Sequence, residues 1–172
     1  MNERFQRSPA GKALLDWRKD LENNRGSRAK LRRAASPEEV ALVPAFHQLA
    51  HQMGEGFSDP SSAAFLRLAA VAGLAARAEL PEEGKDSIAK QMGPPTSGQP
   101  PRVSVHRFRR LLESRGIDDL FSQLRRILPL LGRKVHLTSL ADGVVDWGPE
   151  IRRRWAYDYY ATVPEERKPS KS

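Results

Sequence analysis

The chain has no cysteine among its 172 residues, which excludes disulfides and thiolate metal sites. No apolar stretch follows the first residues, so we expect no signal peptide. The most apolar segment, residues 61–78, contains two arginines and falls short of the roughly 20 apolar residues that a membrane span needs. These absences predict a cytoplasmic protein without membrane contact.

Signatures of catalysis are also scarce, since the chain has neither a glycine-rich phosphate loop nor a Gly-x-Ser-x-Gly motif. His47 and His51 have the helical spacing of a two-histidine metal pair, but Gln48 stands where a zinc protease has glutamate and no third ligand is evident. Two pairs of acids also share a helix face: Asp16 with Asp20, and Asp142 with Asp146. Nothing converges on either pair, so we predict a chain that is not an enzyme and has no cofactor or metal.

Basic residues are present in excess and are unevenly placed. Lys and Arg number 29 against 21 for Asp and Glu, and the formal net charge is +8. Five basic residues and no acid lie in residues 25–33, and nine basic residues face three acids in residues 102–134. Segregated arginine suits bidentate contact with phosphate, so nucleic acid is the first partner to consider. Two alternatives remain: a solvated face without a partner, and a helical adaptor whose basic face binds an acidic protein.

Apolar residues repeat at helical spacing along nearly the whole chain, and almost nothing alternates at period two. Residues 61–78 are apolar almost all round the helix, which is typical of a central bundle helix. We predict helix starts at Pro37, at Ser104 and at Gly148-Pro149, a short helix over residues 87–92, a cap at Ser27 and a cap at Thr138 or Ser139. The pattern predicts an all-α protein.

Proline and glycine are concentrated in residues 79–103 and interrupt the helical pattern. We predict two small helical subdomains, forming a helical bundle, joined by a Pro/Gly-rich linker. The boundaries are an N-terminal subdomain at 1–92, a linker at 93–103, a C-terminal subdomain at 104–162 and a disordered tail at 163–172.

Helical wheels separate the arginines of the second half. Arg107 and Arg110 fall opposite the apolar face of their helix, whereas Arg109 lies at its edge. In the last helix, Arg154 and Asp158 are four residues apart, a spacing that allows the two side chains to pair.

Two tyrosines of the last helix, Tyr157 and Tyr160, lie near Arg153 and away from the apolar stripe. They can stack on unpaired bases or pack against a neighbouring helix.

The order and spacing of several segments resemble one family, CasB, the small subunit of the type I-E CRISPR Cascade complex. The resemblance covers most of the chain, and it includes Leu14-Leu15-Asp16-Trp17, Ala29-Lys30-Leu31-Arg32-Arg33-Ala34, the alanine-rich residues 69–76, residues 87–93, residues 104–112, and Trp147 followed by residues 151–160. The chain departs from the family pattern in the proline-rich residues 93–101.

The resemblance implies a non-catalytic Cascade subunit that acts in antiviral defence. Its implied partners are the crRNA, the target DNA including the displaced strand, other Cascade subunits and a second copy of itself. Such a subunit stabilises the R-loop by holding backbone charge, while guide pairing reads the sequence.

Positions matching the family's basic patches are Lys30, Arg32, Arg33, Arg107, Arg109 and Arg110. We extend the predicted nucleic-acid-binding set to Arg125, Arg126, Arg133 and Arg153.

Overall fold

The computed structural model describes residues 4–163, and within them the fold is all-α, as predicted. The ten α-helices of this range are α1 (Pro9–Asp20), α2 (Arg25–Arg33), α3 (Pro37–Val40), α4 (Pro44–Met53), α5 (Ala63–Arg77), α6 (Ile88–Gln91), α7 (Val105–Leu112), α8 (Ile117–Ile127), α9 (Leu137–Val145) and α10 (Pro149–Thr162). Short 3-10 turns follow α1, α4 and α8, at Leu21–Asn23, Glu55–Phe57 and Leu128–Leu131. No helix in the described range is long and apolar enough to cross a membrane.

Helix α5 lies at the centre of the bundle, as its nearly uniform apolar surface predicts. Every residue from Leu68 to Ala76 is buried, and helices α2, α3, α4, α8 and α9 pack around it. Its small residues let neighbours approach closely. A Cβ added at Gly73 would lie 2.9 Å from a methyl carbon of Val40 and 3.0 Å from the ring of Phe121, so a larger residue at this crossing would force these side chains to shift.

Several helix starts agree with the sequence. Ser36 caps α3 by accepting from the Glu39 N–H, and Ser104 caps α7 by accepting from the Arg107 N–H. Helix α6 follows Ser87, and α10 begins at Pro149. In each case a short polar side chain or a proline satisfies or removes backbone donors that a helix start leaves unpaired.

Two predicted caps are wrong. Asn24, not Ser27, caps α2, since its side chain accepts the Ser27 N–H. Thr138 and Ser139 are buried inside α9, which begins at Leu137, and the Ser139 hydroxyl instead accepts the Ile88 N–H of α6 at 2.9 Å. Both serines therefore take part in hydrogen bonds at a helix start without capping the helix they belong to.

Two short strands, which the periodicity did not predict, form a parallel pair. Strand β1 (Leu80–Glu82) pairs with β2 (Lys134–His136), with Pro81 opposite Val135. Three residues per strand are too few to show a period of two in the sequence. The pair joins the segment after α5 to the segment before α9.

The predicted linker contains no helix or strand, but its ends are tied together. The Val103 N–H donates to the Met92 carbonyl at 2.9 Å, and the Arg102 N–H donates to the Gly93 carbonyl at 3.2 Å. Helices from both sides of this loop share one apolar cluster, because α5 packs against α8 and α9. Division into two subdomains stays a prediction. Residues 164–172 of the predicted tail lie outside the described range.

Candidate nucleic-acid interface

Some arginines of this basic chain serve the fold itself, and Arg18 is the clearest example. Its side chain is only 1% exposed. It donates to the Ala75 carbonyl at 2.7 Å and to the Ala78 carbonyl at 2.6 Å, at the C-terminal end of α5. It also pairs with Glu22 at 2.6 Å, which lowers the pKa of that carboxyl, whereas burial lowers the pKa of Arg18.

Arg28 binds the same helix end. It donates to the carbonyls of Ala76 and Ala78 at 3.1 and 3.4 Å and lies 3.4 Å from Glu22. The last carbonyls of a helix carry partial negative charge and have no partner within the helix. Two guanidinium groups therefore cap α5, and neither is available as a simple surface charge.

Arg67 and Arg152 do the same at two other helix ends. Arg67 donates to the Val145 carbonyl at 2.8 Å, at the end of α9. Arg152 donates to the Ser114 carbonyl at 2.5 Å, just beyond α7, and lies over the Trp147 ring at 5.6 Å. Like Arg18 and Arg28, these two arginines stabilise the fold by capping helix ends.

Three other arginines form a cluster where α2, α5 and α8 meet; we call Arg32, Arg77 and Arg125 the three-arginine cluster. Arg77 donates to the backbone carbonyl of Arg32. Burial lowers the pKa of Arg77, and the positive charges of Arg125 and Arg32 lower it further. Arg125 donates to the Ala35 carbonyl at 3.2 Å.

No described carboxylate forms an ion pair with the three-arginine cluster. The Nε atom of Arg77 is buried and has no hydrogen-bond partner among residues 4–163. Like charges held together without an acid raise the local positive potential, so the cluster favours an anionic ligand at its exposed edge.

The N-terminal basic patch, which we define as Lys30, Arg32 and Arg33 in the last turn of α2, shares Arg32 with this cluster. Lys30, Arg32 and Arg33 are all exposed, while Leu31 between them is buried in the core. None of the three side chains forms an ion pair with another described residue.

The central basic patch lies on α7. Phe108 and Leu111 are buried, whereas Arg107, Arg109 and Arg110 are exposed. The outward positions of Arg107 and Arg110 agree with the helical wheel, and Arg109, predicted at the packing edge, is exposed as well. Within the described part of the chain, these three arginines form no ion pair.

Helix α8 connects the two patches. It packs against α7 and against α5, and Arg125 in its last turn reaches the backbone at Ala35, just beyond α2. Arg125 is half-buried over the Phe121 ring at 5.5 Å, whereas Arg126 is exposed. The structure thus brings Arg125 to the N-terminal patch, and it places Arg126 on the outer surface of the helix between the patches.

Arg133 and Arg153 differ from each other in their surroundings. Arg133 lies at an open groove of about 1310 Å³ and forms an exposed ion pair with Glu79 at 3.4 Å. The groove also contains Glu82 and Glu83, so its charge is mixed. Arg153 is exposed on α10. Arg133 is therefore the predicted residue whose charge is most offset by neighbouring acids.

A comparison with known proteins identifies the family of this chain. The profile of the family described as CRISPR-associated protein Cse2 matches residues 27–160. This chain belongs to the Cse2 family. The predicted resemblance to the CasB family is confirmed, and a CRISPR-associated role follows from it.

Solved structures share the fold of this Cse2-family chain. A chain in the crystal structure of E. coli Cascade bound to a PAM-containing double-stranded DNA target is 24% identical, with a TM-score of 0.68 over 88% of this chain and 97% of that one. CasB from Thermus thermophilus is 22% identical, with a TM-score of 0.64 over 90% and 99%. No curated protein sequence matches the chain significantly.

The matched range of the Cse2 family contains all ten predicted nucleic-acid-binding residues, from Lys30 to Arg153. It also contains Arg77, which the sequence reasoning missed because it placed this residue on an apolar central helix. The available signal was its position at the last residue of α5, where a basic side chain is favourable and can reach neighbouring helices.

The structure gives other roles to residues considered for catalysis. His47 is exposed, and its Nε2 atom lies 2.7 Å from the Ala41 carbonyl. Asp142 is buried and accepts the Phe5 N–H at 2.8 Å and the Gln6 N–H at 3.2 Å, so it holds the N-terminal segment in place. Within residues 4–163, no three histidine or acidic side chains are grouped so that they could hold a metal ion.

One predicted ion pair is absent. Asp158 is buried, whereas Arg154 on the same helix is exposed, and the two form no salt bridge. The pair does not form because Asp158 faces the core whereas Arg154 faces solvent. Moving the guanidinium out of water to reach a buried carboxyl would cost desolvation free energy.

Proposed function

We propose that this chain is a non-catalytic subunit of a Cascade complex that binds nucleic acid backbone and stabilises the crRNA-guided R-loop. Family membership supports the Cascade assignment. The observation that carries backbone binding is the set of exposed arginines on α2 and α7 that lack an acidic partner among the described residues.

Backbone contacts suffice for this role because the protein does not read the sequence. Forming a guide–target heteroduplex while opening a DNA duplex is nearly balanced in free energy. Each arginine that holds a phosphate releases counterions and adds to the affinity for the opened state. A few contacts from Arg32, Arg107 and Arg110 would therefore shift the balance towards the R-loop.

The partners of the proposal are the crRNA, the target DNA with its displaced strand, other Cascade subunits and a second copy of this chain. Arginine rather than lysine on α7 suits this set, because its planar guanidinium contacts phosphates of RNA and DNA in the same bidentate way. No step of the proposal requires a reaction at this subunit.

The test is equilibrium binding of the full chain to labelled single- and double-stranded oligonucleotides over a range of salt concentrations. We expect sequence-independent binding whose log Kd rises linearly with log salt concentration, with a slope of about 0.9 for each duplex phosphate contacted and about 0.7 on single strands. Absence of binding even at low salt would contradict the proposal and favour the alternative, a helical adaptor for an acidic protein.

A further inference from the structure

Helix α10 has two chemically different faces. Ile151, Trp155 and Tyr159 are buried on the inner face. The outer face carries two tyrosines of unusual exposure, Tyr157 at 76% and Tyr160 at 44%. Large aromatic rings favour burial in proportion to their apolar area, so a rigidly displayed and exposed pair indicates a ligand.

The inner face fixes the helix firmly. The Tyr159 hydroxyl donates to the Val103 carbonyl at 2.6 Å, and its ring stacks on Phe108 with centroids 3.8 Å apart. Trp155 packs so closely on α9 that a Cβ at Gly143 would lie 2.3 Å from its ring. Tyr157 therefore projects from a helix whose position is fixed by packing.

The two exposed rings are one helical turn apart, on the same side of α10. Tyr160 lies nearly perpendicular to Phe108, at 87° and 5.7 Å, so packing fixes its orientation. Tyr157 forms no aromatic contact and its hydroxyl no hydrogen bond within residues 4–163. Of the two explanations offered by the sequence, packing against a neighbouring helix is therefore not met for Tyr157 within residues 4–163, and stacking on unpaired bases remains.

Two exposed arginines lie one helical turn before Tyr157. Arg153 and Arg154 precede Tyr157 by four and three residues, which places both guanidinium groups on the same side of the helix as the ring. Of the two acids of α10, Asp158 is buried, and Glu150 is exposed in the first turn, about two turns before Tyr157. The surface beside Tyr157 therefore favours a ligand that is anionic and offers flat apolar surfaces to the rings.

We propose that the exposed face of α10 binds single-stranded nucleic acid, with an unpaired base stacked on Tyr157 and adjacent phosphates held by Arg153 and Arg154. This inference rests on the proposed function and adds a strand preference to it. Unpaired bases expose their flat faces, whereas bases in a duplex stack on each other. The face therefore selects the displaced strand or another single-stranded segment over a duplex.

An acidic protein segment would satisfy the arginines but gains little from two adjacent rings. A strand of nucleic acid uses both features at once, because phosphates and bases alternate along it. Charge and ring together favour the nucleic acid, and contact with a protein is an outcome that the experiment separates.

The experiment measures binding of the full chain to two labelled strands of about 12 nucleotides, one of deoxythymidine and one with the same backbone but no bases. Tyr157→Ala should weaken binding to the base-bearing strand by about five- to tenfold and leave binding to the abasic strand nearly unchanged. Tyr157→Phe keeps the ring and should bind like the unmodified chain.

Leu42→Ala is the matched control, because Leu42 is 82% exposed and lies before α4, away from α10 in the sequence. It should leave both affinities unchanged. Circular dichroism on each variant should show an intact fold, as expected for exposed side chains.

Equal loss on both strands, or no loss with Tyr157→Ala, would overturn the stacking proposal while the backbone binding of the proposed function stands. Weaker assembly into a Cascade complex with unchanged strand binding would assign the face to a protein partner and overturn it too. No binding of either strand at low salt would contradict the proposed function itself.

Discussion

The C-terminal end of α5 and the outer face of α7 both contain arginine, yet the residue does different work in the two places. At α5, Arg18 is buried and donates to two backbone carbonyls. On α7, Arg107 and Arg110 are exposed and have no described acidic partner. The first arrangement stabilises the fold, and the second leaves charge available to a polyanion.

This difference means that total charge overstates the binding surface. Four arginines cap helix ends, namely Arg18, Arg28, Arg67 and Arg152. The three-arginine cluster is intermediate, because Arg125 donates to Ala35 while remaining partly exposed. The first two predictions below each change one side of the comparison and should leave the other unchanged.

Removing the buried guanidinium should have the largest effect. Arg18→Met keeps much of the side-chain volume but removes the two short hydrogen bonds to the Ala75 and Ala78 carbonyls and the ion pair with Glu22. The free energy of unfolding should therefore fall by about 2–5 kcal/mol. Urea unfolding measures it. The exposed neighbour Lys19 supplies the control Lys19→Met, which should cost less than about 0.5 kcal/mol. If Arg18→Met were equally mild, the capping role assigned to Arg18 would be wrong.

Reversing charge on α7 should have the opposite signature. Arg107→Glu with Arg110→Glu should reduce oligonucleotide affinity and lower the slope of log Kd against log salt by roughly two, while unfolding free energy changes by less than about 1 kcal/mol. Salt-dependent binding and urea unfolding measure the two quantities.

Lys12→Glu with Lys19→Glu makes the same charge change on exposed residues of α1, outside the proposed interface, and should alter the slope much less. Collapse of the α7 variant in urea would show that Arg107 and Arg110 are structural, which would remove the distinction between the two regions.

The smallest expected effect extends the comparison to a buried acid. Burial raises the pKa of Asp142, although hydrogen bonds from Phe5 and Gln6 oppose this. The folded state therefore favours the neutral carboxyl. The contribution of Asp142 to stability is complete at pH values below the ordinary aspartate pKa. It is lost as the pH rises from that value through the raised pKa of Asp142 in the folded chain.

The unfolding free energy of the unmodified chain minus that of Asp142→Asn should therefore fall as the pH is raised through that acidic window. Urea unfolding at several pH values measures it. Asp59→Asn is the control, because hydrogen bonds from Ser61 lower the pKa of this exposed carboxyl, and its difference should rise with pH instead. A difference that rises with pH would mean that the hydrogen bonds outweigh burial at Asp142.

Local signals explain which parts of the fold were predictable. Ser36 before Pro37, and Ser104 before an apolar helical face, act within one turn, and both caps formed as predicted. The predicted cap at Ser27 was wrong because Asn24, three residues earlier, accepts the Ser27 N–H, so the helix begins before Ser27. The β1–β2 pair could not be predicted, since its strands lie more than fifty residues apart and are three residues long.

The candidate site divides in the same way. Exposure of Arg107 and Arg110 follows from helical geometry alone, so the wheel identified it. Arg77 was missed because its surroundings come from α2 and α8, which the sequence does not place next to α5.

The sequence by itself determined an all-α chain with a central alanine-rich helix and arginines on helix surfaces, because helix periodicity and capping depend on residues within a few positions of each other. Only the tertiary structure decided which arginines are committed to the fold. Arg18 meets carbonyls 57 and 60 residues away, and burial at that distance depends on how the helices pack. The same packing leaves Tyr157 in solvent while it buries Tyr159 two residues later.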